Sequence, residues 1–309
     1  LLFLNLTAAT APNFFNEGYS EWQDCNRQSI TEPNIFKKIR NTFMDQEIKT
    51  VSILGCGWFG LALAKKLIEL NYFVKGSTTT PEKLEMLSSH KIEPYLVSFT
   101  AEEIIADDSF FNADVLFICI PPKRNSTELK DYPNKIKAIL KASKNNVKNI
   151  VLISSTSVYA DENIFVNEHS KTNPDTDSGR VVLEAEEIFK GLRSDNYTII
   201  RFAGLIGPER NPGRFFAGKT DIPNGLAPVN LIHQIDAVGI VCEILNKQAF
   251  GRTYNACSPK HPAKQDFYTK TAKASELIEP QFIAEKKNWK VVESVNVPEF
   301  LGYEFKVEI

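Results

Sequence analysis

From Lys49 onward the apolar positions fall into two alternating periods. Short apolar runs of strand length occur at Val51-Ser52-Ile53-Leu54, Tyr72-Phe73-Val74, Tyr95-Leu96-Val97, Val115 to Ile120, Ile150 to Ile153 and Thr198 to Arg201. Between them the period changes. Phe59, Leu63, Leu67 and Leu70 recur at helical spacing, with Lys65, Lys66 and Glu69 on the opposite face. Further helices are expected over residues 130–142 and 180–192, and Pro81 suits the first turn of another. The runs at 115–120 and 150–153 are apolar on both parities, as in strands covered on both faces. Strand and helix in alternation predict an α/β protein with a doubly wound parallel sheet.

The pattern changes after Gly207-Pro208. Residues 209–228 are rich in glycine and proline and read as a long loop. A helix near Asp236 to Leu245 and a strand near Thr253 to Asn255 are expected to return to the sheet, and about the last fifty residues to form a smaller C-terminal cap. Residues 1–43 carry no usable period. Met44, the first of two methionines, stands just before the first strand, so the folded protein is expected to begin there, with 1–43 a tail or translated upstream sequence. The apolar stretch Leu1 to Leu6 lacks the basic flank and length of a signal peptide.

Composition removes several function classes. A chain of 309 residues with 43% hydrophobic and 24% charged residues can bury a core without covalent staples. Its 36 Lys and Arg nearly balance 38 Asp and Glu, a net charge of −2, which gives no global reason to expect nucleic acid or an anionic membrane as partner. No apolar run approaches the ~20 residues needed to span a bilayer. The five cysteines (Cys25, Cys56, Cys119, Cys242 and Cys257) are odd in number and show no C-x-x-C spacing. Neither a disulfide framework nor a metal is expected, and a reducing cytoplasm is the expected compartment. His90, His169 and His261 show no ligand spacing with one another or with cysteine.

The chemistry begins at Gly55-Cys56-Gly57-Trp58-Phe59-Gly60, a G-x-G-x-x-G run that follows an expected strand and opens an amphipathic helix. In that context each glycine has a task. Gly55 allows a tight turn, Gly57 lets backbone approach a pyrophosphate, and Gly60 lets helix pack closely on strand. The helix N-terminus offers free N–H groups and partial positive charge to phosphates. The fold is therefore expected to be a Rossmann-type dinucleotide-binding domain over residues 44–205. Residues 206–309 would form a substrate-side region, with 230–256 returning to the core.

The end of the second strand bears on the cofactor. NAD sites usually place an acid about twenty residues after the glycines, on the ribose 2′-hydroxyl. Here the chain reads Lys75-Gly76-Ser77-Thr78-Thr79-Thr80, with no acid before Glu82. Ser77, Thr78 and Thr79, with Lys75 or Lys83 adding charge, could hold a 2′-phosphate, so NADP(H) is expected over NAD; the same residues would also serve as a turn and N-cap before Pro81. Pro121-Pro122 ends the fourth strand, either lining the cofactor cleft or redirecting the loop.

Several motifs stand in one order: Gly55 to Gly60, Ser154-Ser155-Thr156-Ser157-Val158-Tyr159, Gly207-Pro208, Ile232-His233-Gln234-Ile235-Asp236 and Tyr254-Asn255. Across about residues 49–309 the chain resembles the extended short-chain dehydrogenase/reductases, which include the NAD-dependent epimerase/dehydratases. It is most similar to their atypical branch, through the S-S-T-S-V-Y run and the stretch from Pro212 to Lys219. The resemblance implies an acid/base tyrosine, a lysine four residues later that lowers its pKa, and a serine that orients a substrate carbonyl. Ser155 matches that serine. Ser178 and Val182 stand where the tyrosine and lysine belong, and no tyrosine in the chain has a lysine four residues later. Tyr159 is the substitute acid on offer.

The resemblance also places Arg210, Arg214 and Lys219 beside substrate, where they could bind phosphate or carboxylate, and His233 with Asp236 nearby. The expected function is an NADP(H)-dependent oxidoreductase or epimerase/dehydratase-like enzyme acting on a small anionic or sugar-like metabolite. The alternative is an NADP(H)-binding sensor or scaffold that has lost turnover.

Overall fold

The computed structural model describes residues 47–99, 103–122, 127–144, 146–192 and 197–309, and the expectation for 1–43 lies outside them. Seven strands form the sheet: β1 (Thr50–Leu54), β2 (Phe73–Thr78), β3 (Glu93–Leu96), β4 (Ala113–Ile118), β5 (Val147–Ser155), β6 (Tyr197–Phe202) and β7 (Thr253–Ala256). Their order is β3-β2-β1-β4-β5-β6-β7, and every pairing is parallel. All seven C-terminal ends therefore meet one edge. The order reverses between β1 and β4, and a crevice opens at that switch point.

Side-chain parity explains the two-sided core. Val51, Ile53, Val115, Phe117 and Val151 face one layer, and Leu54, Leu116, Ile118, Ile150 and Leu152 face the other. The first layer holds α1 (Trp58–Glu69), which brings in Leu63 and Leu67. The second holds α3 (Tyr132–Ser143), with Ile136 and Ile139, packed on α4 (Asp177–Leu192), with Ala185 and Phe189. α2 (Leu84–Ser89) joins β2 to β3. α5 (Gln234–Asn246) lies against α1 and adds Ile240 and Ile244. Residues 234–256 lie within the sheet layers, with β7 paired to β6 through Tyr254↔Ile200 and Ala256↔Phe202, while Leu231–His233 pairs with Gly204–Ile206 outside the seven-stranded sheet.

The substrate-side region has its own apolar cluster of Ile206, Val229, Leu231, Phe267 and Tyr268, the last two from α6 (Lys264–Ala274). It is not purely C-terminal. Ile164–Val166 pairs in parallel with Lys290–Val292, so a segment between β5 and α4 belongs to it as well. Asp236 staples the C-terminal tail: its carboxylate accepts from the Tyr303 hydroxyl (3.0 Å) and the Lys306 and Val307 amides (2.7 and 3.2 Å). Among the described residues no helix is long and apolar enough to cross a membrane, and no group of three or more His, Cys, Asp or Glu could hold a metal ion.

Candidate functional site

The turn between β1 and α1 is built around its three glycines. Gly55 sits at φ +101°, a conformation that disfavours any side chain. At Gly60 a Cβ would stand 2.2 Å from the Gly55 carbonyl oxygen, so only glycine lets α1 start this close to β1. Gly57 is the opposite case: a Cβ there would meet nothing within 4 Å. Gly57 is also the N-cap of α1 and supplies no side-chain acceptor, leaving first-turn amides free by helix geometry. Open space in front of unsatisfied amides, with no carboxylate in the first turn, is a cradle that fits a diphosphate.

The residues expected to bind cofactor divide into those that line a cavity and those that support the turn behind it. Gly57, Trp58, Phe59, Gly60 and Pro121 line a cavity of about 890 Å³. Gly55 and Cys56 do not line it, and their amides are engaged within the turn: Gly55 N donates to Ser77 Oγ and Cys56 N to Ser77 O, both at 2.9 Å. The Cys56 thiol is buried, which pushes its pKa up to about 12. Ser77 is likewise buried, with its hydroxyl committed to the turn, so its expected contact with a phosphate is corrected to a structural one. Thr78 Oγ1 accepts from Thr80 N (3.1 Å), which leaves Thr79 and Lys83 exposed at this corner. Lys75 is corrected too. Strand parity turns it under the sheet, where Nζ donates to Ser109 O (2.6 Å) and Asn112 O (2.9 Å).

The far side of the cavity is formed by the end of β5. Ser155 lines it, with its Oγ accepting from Ser157 N (3.2 Å). The Ser157 Oγ is buried without a partner among the described residues. Val182 lines the cavity at the place the resemblance assigns to lysine, whereas Ser178 is outside the lining and turns toward Thr176. Tyr159 does not fill the missing role. It is 1% exposed, outside the cavity lining, and its single hydroxyl hydrogen is shared between Asn167 O (2.9 Å) and Asn255 Oδ1 (3.1 Å) while the oxygen accepts from Arg201 (2.6 Å). Burial pushes this phenol upward and the Arg201 charge only partly offsets it. Tyr159 as a substrate-facing acid is therefore corrected to a core tyrosine in a polar network.

That network escaped the sequence reading. Arg201 on β6 and Glu186 on α4 form a buried pair at 2.6 Å, and Ser154 Oγ donates to the same carboxylate at 2.6 Å. Among the three expected cations, Arg210 alone lines the cavity, its guanidinium 4.3 Å over the Trp58 ring. Arg214 and Lys219 are exposed elsewhere. Two unexpected lysines line the cavity instead. Lys290 Nζ donates to Asp161 Oδ1 (2.7 Å) and Tyr159 O (2.9 Å), while Lys264, its pKa lowered by burial, reaches Pro223 O (3.3 Å). His233 caps α5, its Nδ1 accepting from Ile235 N, and burial lowers its pKa; it does not line the cavity.

Comparison with known proteins agrees with this geometry. Residues 50–157 match the family described as NADP oxidoreductase, coenzyme F420-dependent. Protein YeeZ of Escherichia coli K12 is 36% identical over 266 residues, which is 84% of this chain and 96% of YeeZ. The chain belongs to the YeeZ family. Its fold is that of the extended short-chain dehydrogenase/reductases. The UDP-glucuronic acid 4-epimerase of Bacillus cereus, solved in complex with NAD, superposes with a TM-score of 0.69 at 17% identity, covering 84% of this chain and 94% of the epimerase. A short-chain dehydrogenase/reductase superfamily protein of Agrobacterium tumefaciens with bound NAD gives a TM-score of 0.68 at 16% identity over 84% and 93%.

Proposed function

We propose that this chain binds NADP(H) at the β1–α1 turn and reduces or isomerises a small anionic or sugar-like carbonyl compound in the adjoining cavity. The observation that carries the reading is a single cavity bounded by Gly57–Gly60 on one side and by Ser155, Arg210 and Lys264 on another. Its volume of about 890 Å³ is within the range of cofactor and ligand sites. When bound, a nicotinamide dinucleotide would supply hydride chemistry, while this chain supplies position and charge. First-turn amides of α1 would hold the diphosphate. Thr79 and Lys83, with no acid on β2 to repel a 2′-phosphate, support NADP(H) over NAD. Ser155 would orient a carbonyl. Among the described residues Arg210 has no acidic partner and Lys264 makes no ion pair, with Asp161 its nearest acidic influence and already bonded to Lys290, so the lining favours an anionic group on the substrate.

Val182 at the lysine position supports a second reading, a protein that holds the dinucleotide without turnover. Both readings share the binding step, which parallel thermal unfolding with NADPH, NADP, NADH and NAD measures. A ligand that binds only the folded state at 100 times its Kd adds about 2.7 kcal/mol to apparent stability. The expected order is NADPH and NADP above NADH and NAD. Equal or greater protection by NADH would overturn the NADP(H) preference.

A further inference from the structure

We propose that Tyr132, from α3, is the proton donor for carbonyl reduction in this cavity, taking over from a different helix the role that Ser178 cannot perform. The assignment rests on the reductase reading above. Tyr132 opens α3, is 3% exposed and lines the same cavity as Ser155 and Val182. Its hydroxyl has no hydrogen-bond partner among the described residues, a condition it shares in this lining with Tyr268, whereas the hydroxyls of Tyr159, Tyr254 and Tyr303 are all engaged. Tyr268 packs in the substrate-side cluster, while Tyr132 packs in the sheet layer with α4, the helix that carries Ser178 and Val182. The one fully sealed side-chain oxygen without a partner among those residues is Ser157 Oγ. The Tyr132 hydroxyl therefore keeps some accessible surface, and the accessible space beside its ring is the cavity. Leaving a buried phenol without an acceptor costs stability. A substrate oxygen would remove that cost.

The environment fixes the direction of proton flow. Burial pushes the Tyr132 phenol well above its ordinary range, and the Glu186 carboxylate on α4 pushes the same way. The Glu186 charge is itself paired with Arg201 and approached by Lys190. Tyr132 is thus fully protonated at neutral pH. A reduced nicotinamide, when bound, supplies hydride to the carbonyl carbon. As that C–H bond forms, the C=O π pair moves onto oxygen, and Tyr132 gives its proton to this oxygen. Solvent at the cavity mouth then reprotonates the phenolate, so one hydride and one proton convert the carbonyl to an alcohol. An alkoxide is a far stronger base than a phenolate, so donation runs downhill even from this raised pKa. Alcohol oxidation would need the phenolate first, which is scarce at neutral pH without a neighbouring lysine.

The test begins with binding. Full-length protein labelled with 3-fluorotyrosine is examined by 19F NMR, and the Tyr132 resonance is identified by its absence in Tyr132→Phe. NADP is expected to move that resonance while leaving Tyr254, bonded to Ala249 O in the core, in place. A Tyr132 resonance that stays put while NADP raises the melting temperature would overturn the assignment and spare the cofactor reading. No stabilisation at all would remove both. NADPH oxidation is then followed with pyruvate, methylglyoxal, 4-nitrobenzaldehyde and glyceraldehyde 3-phosphate. Tyr132→Phe, which keeps the packed ring, should lower the rate about 100-fold or more while NADPH affinity stays within about twofold. An unchanged rate overturns the role of Tyr132 alone. Wild-type protein that binds NADPH and reduces none of these probes overturns both the enzyme reading and this one.

Discussion

Glu186→Ala is expected to destabilise the chain by about 3–5 kcal/mol, because it strands the Arg201 guanidinium, 3% exposed, without its counter-charge. The loss is not simply that of one ion pair. Glu186 accepts from Arg201 Nε (2.9 Å), from an Arg201 terminal nitrogen (2.6 Å) and from Ser154 Oγ (2.6 Å). Arg201 in turn donates to Tyr159, so removing one carboxylate unsettles β5, β6 and the Tyr159–Asn255 contact together. The buried pair itself is worth much less than its disruption, since desolvation offsets most of its attraction. The double variant Glu186→Met/Arg201→Met should therefore recover most of the stability lost in the single one. Urea unfolding of both variants measures this. A single variant within 1 kcal/mol of wild type, or a double variant less stable than the single, would contradict it.

Gly60→Ala carries the second large effect. The added Cβ would lie 2.2 Å from Gly55 O, 3.1 Å from Gly55 C and 3.3 Å from Ile53 Cγ2. The first two are backbone atoms, so no side chain can swing aside, and α1 must lift away from β1. Overpacking of this kind costs about 1–3 kcal/mol. The same movement displaces the first-turn amides, so dinucleotide affinity should fall at least tenfold, about 1.4 kcal/mol. Gly191→Ala is the matched control. It also lies in a helix, α4, but its Cβ would meet nothing within 4 Å, and alanine there should stabilise by about 0.5–1 kcal/mol. Thermal unfolding and NADPH titration of the two variants check both statements; equal behaviour would show that helix propensity, not contact with Gly55, governs position 60.

The parts of this protein legible in the sequence are those encoded locally. The β1–α1 turn could be read because its three glycines answer to backbone constraints within a few residues. The parallel sheet could be read because runs such as 115–120 are apolar on both parities. Lys75 shows where local reading fails: the residue lies beside Ser77 and Thr78 in sequence, yet strand alternation sends its ammonium under the sheet to Ser109 and Asn112. Tyr159 fails for a related reason. Its motif is conspicuous, but its hydroxyl partners Asn255 and Arg201 come from β7 and β6, and no spacing near Tyr159 announces them.

The substrate side of the cavity was the least legible. Lys290 meets Asp161 across 129 positions, and Lys264 comes from a helix with no recognisable motif. Tyr132 carried only the signal of a helix start, Pro133 following it, and nothing in its neighbourhood marks it as sharing a cavity with the residues at 155 and 182. Such sites arise from tertiary convergence at the C-terminal edge of the sheet. Periodicity locates the edge but not the side chains gathered above it.

Position 57 offers the most direct test of the central claim. Gly57 has φ −80° and ψ −157°, extended backbone that alanine accepts, and its Cβ would enter space free of protein atoms. Gly57→Ala should therefore melt with wild-type protein while losing about tenfold or more in calorimetric NADPH affinity, because the methyl group would occupy the space assigned to the diphosphate. An unchanged melting temperature together with an unchanged affinity would place the dinucleotide somewhere other than this turn.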